Sequence, residues 1–164
     1  MVSTAPSLQE VSDVQDQVDA GSPDLSVLDE LVGYHMRRAS AVIGNDFARA
    51  IAGTGLRQVL FGVLSVIAAN PGINQGNVGR VLGIQRANMV SLVNELADAG
   101  LILRETAADD RRALALTQTS EGEEKFRTSL RRIRAHEDQL LANLSAAERA
   151  QLIDLLTRIE AVEG

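Results

Sequence analysis

The sequence predicts a mainly α-helical fold with a small β-wing, and two observations predict it. Residues 73–101 contain a short helical pattern, a glycine turn and a longer helical pattern. Two β-like stretches follow, LILRET and RALALTQ, joined by the charged segment AADDR. Helix, turn, helix and hairpin in this order are typical of a winged helix-turn-helix domain, which places its second helix in the DNA major groove. We expect this domain at residues 56–119.

The composition favours helices around an aliphatic core. Hydrophobic residues make up 45% of the chain, whereas aromatic residues make up 2% and tryptophan is absent. The absence of cysteine excludes disulfides and thiolate metal ligands. Seven of the 22 acidic residues lie within residues 1–30, which contain no Lys or Arg, so 15 acids and 16 bases remain elsewhere. The net charge of −6 is therefore compatible with DNA binding, because local charge governs phosphate contact.

The elements before the predicted motif follow from periodicity and helix breakers. Residues 1–22 lack clear periodicity, and we expect a mobile acidic tail there. Apolar residues then recur at helical spacing from Leu25 to about Ala52, which predicts one long amphipathic helix within residues 23–55. A strongly apolar helix is expected from Leu56 to Asn70, because a Pro-Gly pair follows it.

The motif itself and the helices after it carry recognisable cap residues. Asn74 is a good N-cap for the first motif helix, in which Val78, Val81 and Leu82 are expected to point inward. Gly83 supplies the turn. We expect two further helices within residues 120–164, each opened by a pair with capping-box spacing. These pairs are Ser120 with Glu123, and Ser145 with Glu148.

The second motif helix has two contrasting faces. Its apolar residues recur at i, i+3, i+4 and i+7, which predicts one buried face: Met89, Leu92, Val93 and Leu96. The other face is flat, polar and mostly uncharged, as expected of a helix that reads DNA bases. Its candidate DNA-binding residues are Gln85, Arg86, Asn88, Val90, Ser91 and Asn94.

Arg86 and Val90 have the most specific expected roles on this face. Arg86 lies at the helix start, where a guanidinium can bind guanine O6 and N7 through two hydrogen bonds. The alternative for Arg86 is an ordinary solvated arginine. Val90 either packs on a thymine methyl group or is partly buried, and the sequence favours neither.

The wing carries a pair of arginines at its tip. Arg111 and Arg112 suit a narrow minor groove, whose negative potential attracts inserted arginine side chains. Asp110 is expected to pair with one of them and to stabilise the tip. On charge alone, an exposed hairpin with balanced charge fits the segment equally well.

The flanking helices predict a homodimer. Their apolar stripes exceed what one small domain can cover, and two-fold pairing of residues 23–55 and 120–164 would bury them. Such a dimer also sets two recognition helices one DNA turn apart, roughly 34–36 Å.

Five short motifs within residues 56–122 are specific in combination: Leu82-Gly83-Ile84, Leu92-Val93 with Leu96, Gly100-Leu101-Ile102, Asp110-Arg111-Arg112, and Thr119 with Gly122. With these motifs, the segment resembles the MarR (multiple-antibiotic-resistance regulator) family of transcription factors. The resemblance implies a homodimeric winged-helix repressor that a small, often aromatic, ligand releases from its operator DNA. Two positions depart from the family pattern: Gln85 replaces the usual Ser or Thr, and Gln118 replaces an apolar residue. The absence of cysteine excludes the peroxide-sensing branch.

The resemblance also implies a ligand site between the dimer arms and the DNA-binding lobe. The first long helix borders that region and offers a hydroxyl, an imidazole and two guanidinium groups, which suit a carboxylate or a CoA thioester. We therefore expect an aromatic acid or its CoA thioester as effector, similar to the branch that senses hydroxycinnamoyl-type thioesters. The alternative is a solvated helix face. The candidate ligand-binding residues are Tyr34, His35, Arg37, Arg38 and Phe61.

Other functional classes find less support in the sequence. We expect no enzyme and no cofactor, because no nucleophile-base, paired-carboxylate or phosphate-loop signature is present. His35 and His136 alone make a poor metal site. We expect a cytoplasmic protein, because no apolar run approaches the ~20 residues of a membrane span. The alternative function is a winged-helix protein–protein interaction module without DNA binding, which is expected to lack Arg86 and the wing arginines.

Overall fold

The computed structural model describes residues 24–106 and 114–161. These residues form two compact units, one that ends at Ala39 and one that begins at Ser40. The predicted tail and the wing-tip residues Asp110, Arg111 and Arg112 lie outside the described residues. The elements in chain order are α1 (Ser26–Asp29), α2 (Val32–Ile51), α3 (Gln58–Ala69), β1 (Ile73–Asn74), α4 (Gln75–Val81), α5 (Arg86–Asp98), β2 (Ile102–Thr106), β3 (Leu114–Gln118), α6 (Ser120–Leu140) and α7 (Ala146–Glu160). The predicted fold class, mainly α with a small β-wing, is confirmed.

The first predicted helix is in fact two helices. The chain leaves α1 after Asp29 through a tight turn, in which the Leu31 N–H donates to the Leu28 carbonyl at 3.0 Å. The carbonyl of Asp29 is then free to accept a hydrogen bond from His35 Nε2 at 2.9 Å. The prediction of one continuous helix from Leu25 was therefore wrong, because periodicity alone does not detect a local turn that a side chain stabilises.

The core of the second unit is aliphatic, as the composition predicts. Helix α3 buries residues at i, i+3, i+4 and i+7, and α5 buries the predicted apolar row. The strands close the core from the other side. Its fully buried side chains include Leu64, Ile67, Met89, Leu96, Leu101 and Leu116.

The wing sheet has three antiparallel strands instead of two. The strand order is β1-β3-β2, with Ile73 opposite Leu116 and Ile102 opposite Gln118. Strand β1 was not predicted, because a two-residue strand is too short to show the alternation that identifies a strand. Because β1 pairs with β3, it connects the start of the helix-turn-helix to the base of the wing.

Two cap predictions are confirmed and one is wrong. The Asn74 side chain accepts from the Asn77 N–H at 2.9 Å, and Ser145 with Glu148 forms a complete capping box. Helix α6, however, is capped by Thr119 and not by Ser120. The Thr119 hydroxyl accepts from the Gly122 N–H at 3.0 Å and donates to the Gly100 carbonyl at 2.7 Å, so it joins two elements.

Val81 does not point inward as expected, and 68% of its surface is exposed. Val78 and Gly79 define the buried face of α4. At about 100° per residue, Leu82 falls close to the centre of that face, whereas Val81 falls about 110° away from it. The prediction for Val78 is confirmed, and Leu82 packs against the core while partly exposed.

The corner between α6 and α7 is held by one side chain. Arg149 donates to the Asp138 carboxylate at 2.7 Å and to the Leu141 carbonyl at 2.8 Å. Helix α7 itself buries none of its residues, and Ile153 is 65% exposed on it. None of the helices in the described part of the chain is both long and apolar enough to cross a membrane.

Candidate nucleic-acid interface

Two glycines set the position of α5 relative to α4. Gly83 takes the left-handed conformation, with φ +65°, which an L side chain rarely adopts. Gly79 lies where the helices cross, and a Cβ there would be 3.0 Å from the Ile84 carbonyl oxygen and 3.4 Å from Met89 Cγ. Close packing at this crossing fixes the direction in which α5 presents its outer face.

The structure exposes the outer face of α5. Its inner face buries the four predicted apolar residues. Val90 is 43% exposed, so it is not a core residue. Gln85 is the N-cap residue but makes no side-chain cap hydrogen bond, which leaves its amide available to another partner. The exposed candidates are Gln85, Arg86, Asn88, Val90, Ser91 and Asn94.

Concave surfaces flank this face on both sides. One, of about 570 Å³, includes Arg86 together with Asn74 and Leu114, the latter at the start of β3. The other, also of about 570 Å³, brings Arg57 together with residues of the α5 face. The α5 residues that line this second surface include Asn88, Ser91 and Leu92, preceded by the N-cap residue Gln85.

Two arginines that contact α5 were not predicted. Arg104 on β2 donates from Nη2 to the Val93 carbonyl at 3.1 Å. Arg57, which directly precedes α3, forms a two-point ion pair with Glu95, with Nε 3.4 Å from Oε1 and Nη2 bonded to Oε2. This hydrogen bond raises the pKa of Arg57 above its ordinary value. Partners 11 and 38 residues apart leave no local sequence pattern.

The first unit contains four of the five candidate ligand residues. The Arg37 and Arg38 guanidinium carbons each lie 5.5 Å from the Tyr34 ring centroid, so all three side chains share one face of the helix. The His35 ring contacts the Tyr34 ring edge to face, with 5.5 Å between the centroids, and its Nε2 lies 2.9 Å from the Asp29 carbonyl oxygen. Guanidinium groups over an aromatic ring form cation–π contacts, which leave their N–H groups available for an anion.

The fifth candidate, Phe61, lies in the second unit within an aromatic cluster. Its ring centroid is 5.7 Å from that of Phe47 and 5.6 Å from that of Phe126. These are the three phenylalanines of the chain, and their grouping was not predicted. Phe126 also lines an open groove of about 520 Å³ beside Arg127 and Gln118. The Gln118 amide donates to the Leu64 carbonyl at 3.4 Å, which accounts for a polar residue in β3.

Among the described residues, no group of three or more His, Asp or Glu side chains could hold a metal ion. His136 Nδ1 lies 3.2 Å from a carboxylate oxygen of Asp46 as a simple pair.

Comparison with known proteins identifies the family. A sequence model of the MarR family matches residues 55–113. A protein of Thauera aromatica assigned to transcriptional regulation of the hcr operon is 36% identical over 148 residues, which cover 85% of this chain and 89% of that protein. The chain belongs to the MarR family. It is a transcriptional regulator and not an enzyme, and the predicted resemblance is confirmed.

This chain matches solved structures of a transcriptional repressor over nearly the whole length of those structures. The transcriptional repressor CouR bound to a 23-mer DNA duplex is 32% identical, with a TM-score of 0.80, and the match covers 85% of this chain and 99% of CouR. CouR bound to p-coumaroyl-CoA is 31% identical, with a TM-score of 0.73, and the match covers 85% of this chain and 98% of CouR. The protein is similar to this repressor both in its DNA-bound state and in its p-coumaroyl-CoA-bound state.

Proposed function

We propose that the protein is a homodimeric repressor that binds operator DNA through α5 and is released by a small aromatic acid or its CoA thioester. The observation that carries the proposal is the exposed polar face of α5, which begins with Arg86 and is flanked by two concave surfaces. The similarity to CouR on a DNA duplex supports the same reading.

In the proposed complex, α5 lies in the major groove. Arg86 at the first turn donates two hydrogen bonds to a guanine, and Val90 packs on a thymine methyl group. Gln85, Asn88, Ser91 and Asn94 complete the contact surface. The wing arginines Arg111 and Arg112 enter the minor groove, and Asp110 stabilises the tip.

Exposed apolar residues on both flanking regions support the homodimer. In the first unit, Val27, Leu31 and Val32 are exposed, and α7 exposes Ile153 and Ile159. Large contiguous apolar surfaces on a monomer are typical of interaction sites, and two-fold pairing of identical chains is the commonest way to bury them. A two-fold dimer also supplies the two recognition helices that operators with two half-sites require.

The effector proposal is supported by the chemistry of each unit taken separately. In the first unit, Arg37 and Arg38 present guanidinium groups that suit a carboxylate or phosphate, with Tyr34 and His35 beside them. In the second unit, the Phe61 cluster offers aromatic surface. CouR, the similar repressor, binds p-coumaroyl-CoA, which has both an aromatic and an anionic part. Effector binding releases DNA when it favours a dimer in which the recognition helices no longer match the operator.

Titration of the protein–DNA complex with effectors tests the proposal. The DNA is a duplex selected from a random-sequence pool by the wild-type protein. We expect at least one aromatic acid or CoA thioester in a small panel to release it. Arg38→Ala should bind DNA normally. Its release from DNA should need an effector concentration at least roughly ten times higher than for wild type, because a charge-assisted hydrogen bond contributes about 1.5–3 kcal/mol. If nothing in the panel releases DNA, or if Arg37→Ala and Arg38→Ala respond as wild type does, the effector assignment is wrong.

A further inference from the structure

The α5 face that carries the candidate base-reading residues also carries a carboxylate, that of Glu95. Glu95 lies seven residues after Asn88 and four after Ser91, so all three fall on one side of the helix. DNA carries one negative charge per roughly 1.7 Å of helix axis. A free carboxylate in this row would therefore repel the phosphates that flank the groove.

Arg57 lies over that carboxylate. Both guanidinium contacts go to the two oxygens of Glu95, and both side chains remain about half exposed, at 56% and 45%. The same concave surface joins Arg57 to Gln85, Asn88 and Ser91. Arg57 is thus part of the surface that faces the proposed DNA, although it lies outside the helix-turn-helix.

We infer that Arg57 belongs to the DNA-binding surface, where it neutralises Glu95 and so allows α5 to approach the phosphate backbone. The inference rests on the proposed DNA-binding role of α5. The pair is expected to contribute little to folding, because both side chains are about half exposed and solvent screens their attraction. The Arg57 side chain also makes no cap hydrogen bond to α3, so its removal leaves that helix start intact.

The inference predicts a specific pattern of DNA affinities. Arg57→Ala should weaken binding roughly tenfold per recognition helix, the effect of one unit charge about 6 Å from a phosphate at an effective dielectric of about 40. The loss should be similar on selected and scrambled duplexes, because charge repulsion carries no base preference. It should shrink as salt rises, because salt screens exposed charges.

A double variant separates neutralisation from a structural role. In Arg57→Ala/Glu95→Gln the carboxylate is gone, and affinity should return to that of wild type or above. Arg57→Ala/Asp98→Asn removes a carboxylate from the next turn of α5 and should stay weak. Arg127→Ala is the matched control for the arginine, because Arg127 is similarly exposed and pairs with Glu124 at 3.0 Å on α6.

The experiment is fluorescence anisotropy of the full chain with both duplexes over a salt series, alongside thermal unfolding of every variant. Rescue by Glu95→Gln, with no rescue by Asp98→Asn and unchanged unfolding temperatures, supports the inference. It is overturned if Arg57→Ala binds as Arg127→Ala does, if Glu95→Gln fails to rescue, or if Asp98→Asn rescues equally. A wild-type protein that selects no duplex overturns the proposed function, and this inference with it.

Discussion

Gly122→Ala should destabilise the protein, because the new methyl group would meet the backbone of Leu101. A Cβ at position 122 would overlap the Leu101 carbonyl oxygen and lie 2.9 Å from its carbonyl carbon, where ordinary contacts are 3.4–4 Å. Neither partner is a flexible side chain, so α6 must move away from the end of α5. The Thr119 N–H donates to the same Leu101 carbonyl at 3.1 Å and would be displaced as well.

The expected loss follows from these contacts. Overpacking in a tight site costs about 1–3 kcal/mol. Weakening of the Thr119 hydrogen bonds adds about 1 kcal/mol. We expect a total of about 3 kcal/mol, which lowers the unfolding midpoint by roughly 6–12 °C for a chain of this size.

Thermal unfolding followed by circular dichroism, at one fixed protein concentration, measures the shift. Gly62→Ala is the matched control, because it lies inside α3 and a Cβ there has nothing within 4 Å. It should stabilise by about 0.5–1 kcal/mol, the ordinary gain of Ala over Gly in a helix. Equal midpoints for the two variants would refute the packing of α6 on Leu101.

Three further predictions concern the dimer, the tail and the wing. Sedimentation at micromolar concentration should show a dimer, and Ile153→Asp should shift it to the 17.5 kDa monomer, because a charge in an apolar interface has no partner. A wild-type monomer would contradict the dimer. Deletion of residues 1–22 should leave DNA affinity unchanged or slightly raised at low salt, since acidic residues repel phosphate; a large loss would show that the tail supports binding. Arg112→Ala should weaken binding to all sequences and reduce the salt slope by about 1, whereas an unchanged slope would place this arginine away from phosphate.

Periodicity and cap chemistry predicted the elements that dominate the fold. The buried row of α5 and the caps at Asn74 and Ser145 follow from spacing within one element. Local errors arose where a neighbouring element decides the outcome. Thr119 displaces Ser120 as the cap because its hydroxyl also reaches Gly100, which belongs to the turn after α5. The brief strand β1 exists only through its pairing with β3.

In the candidate interface, too, features set within one element were predicted and contacts between elements were not. The exposure of Arg86 follows from the helical period, whereas the sequence left the burial of Val90 open and the structure shows this side chain 43% exposed. The Arg57–Glu95 pair and the Phe47–Phe61–Phe126 cluster join residues from different elements. Such contacts depend on the packing of helices, which spacing within one element does not encode.

The central claim is that the outer face of α5 reads DNA sequence, and the affinity of Arg86→Ala tests it most directly. The measurement compares the variant with wild type on a duplex selected by the wild-type protein and on a scrambled duplex of the same composition. Loss of a two-point contact to guanine should cost about 1–3 kcal/mol on the selected duplex and much less on the scrambled one. Equal affinity of variant and wild type for the selected duplex would contradict the account.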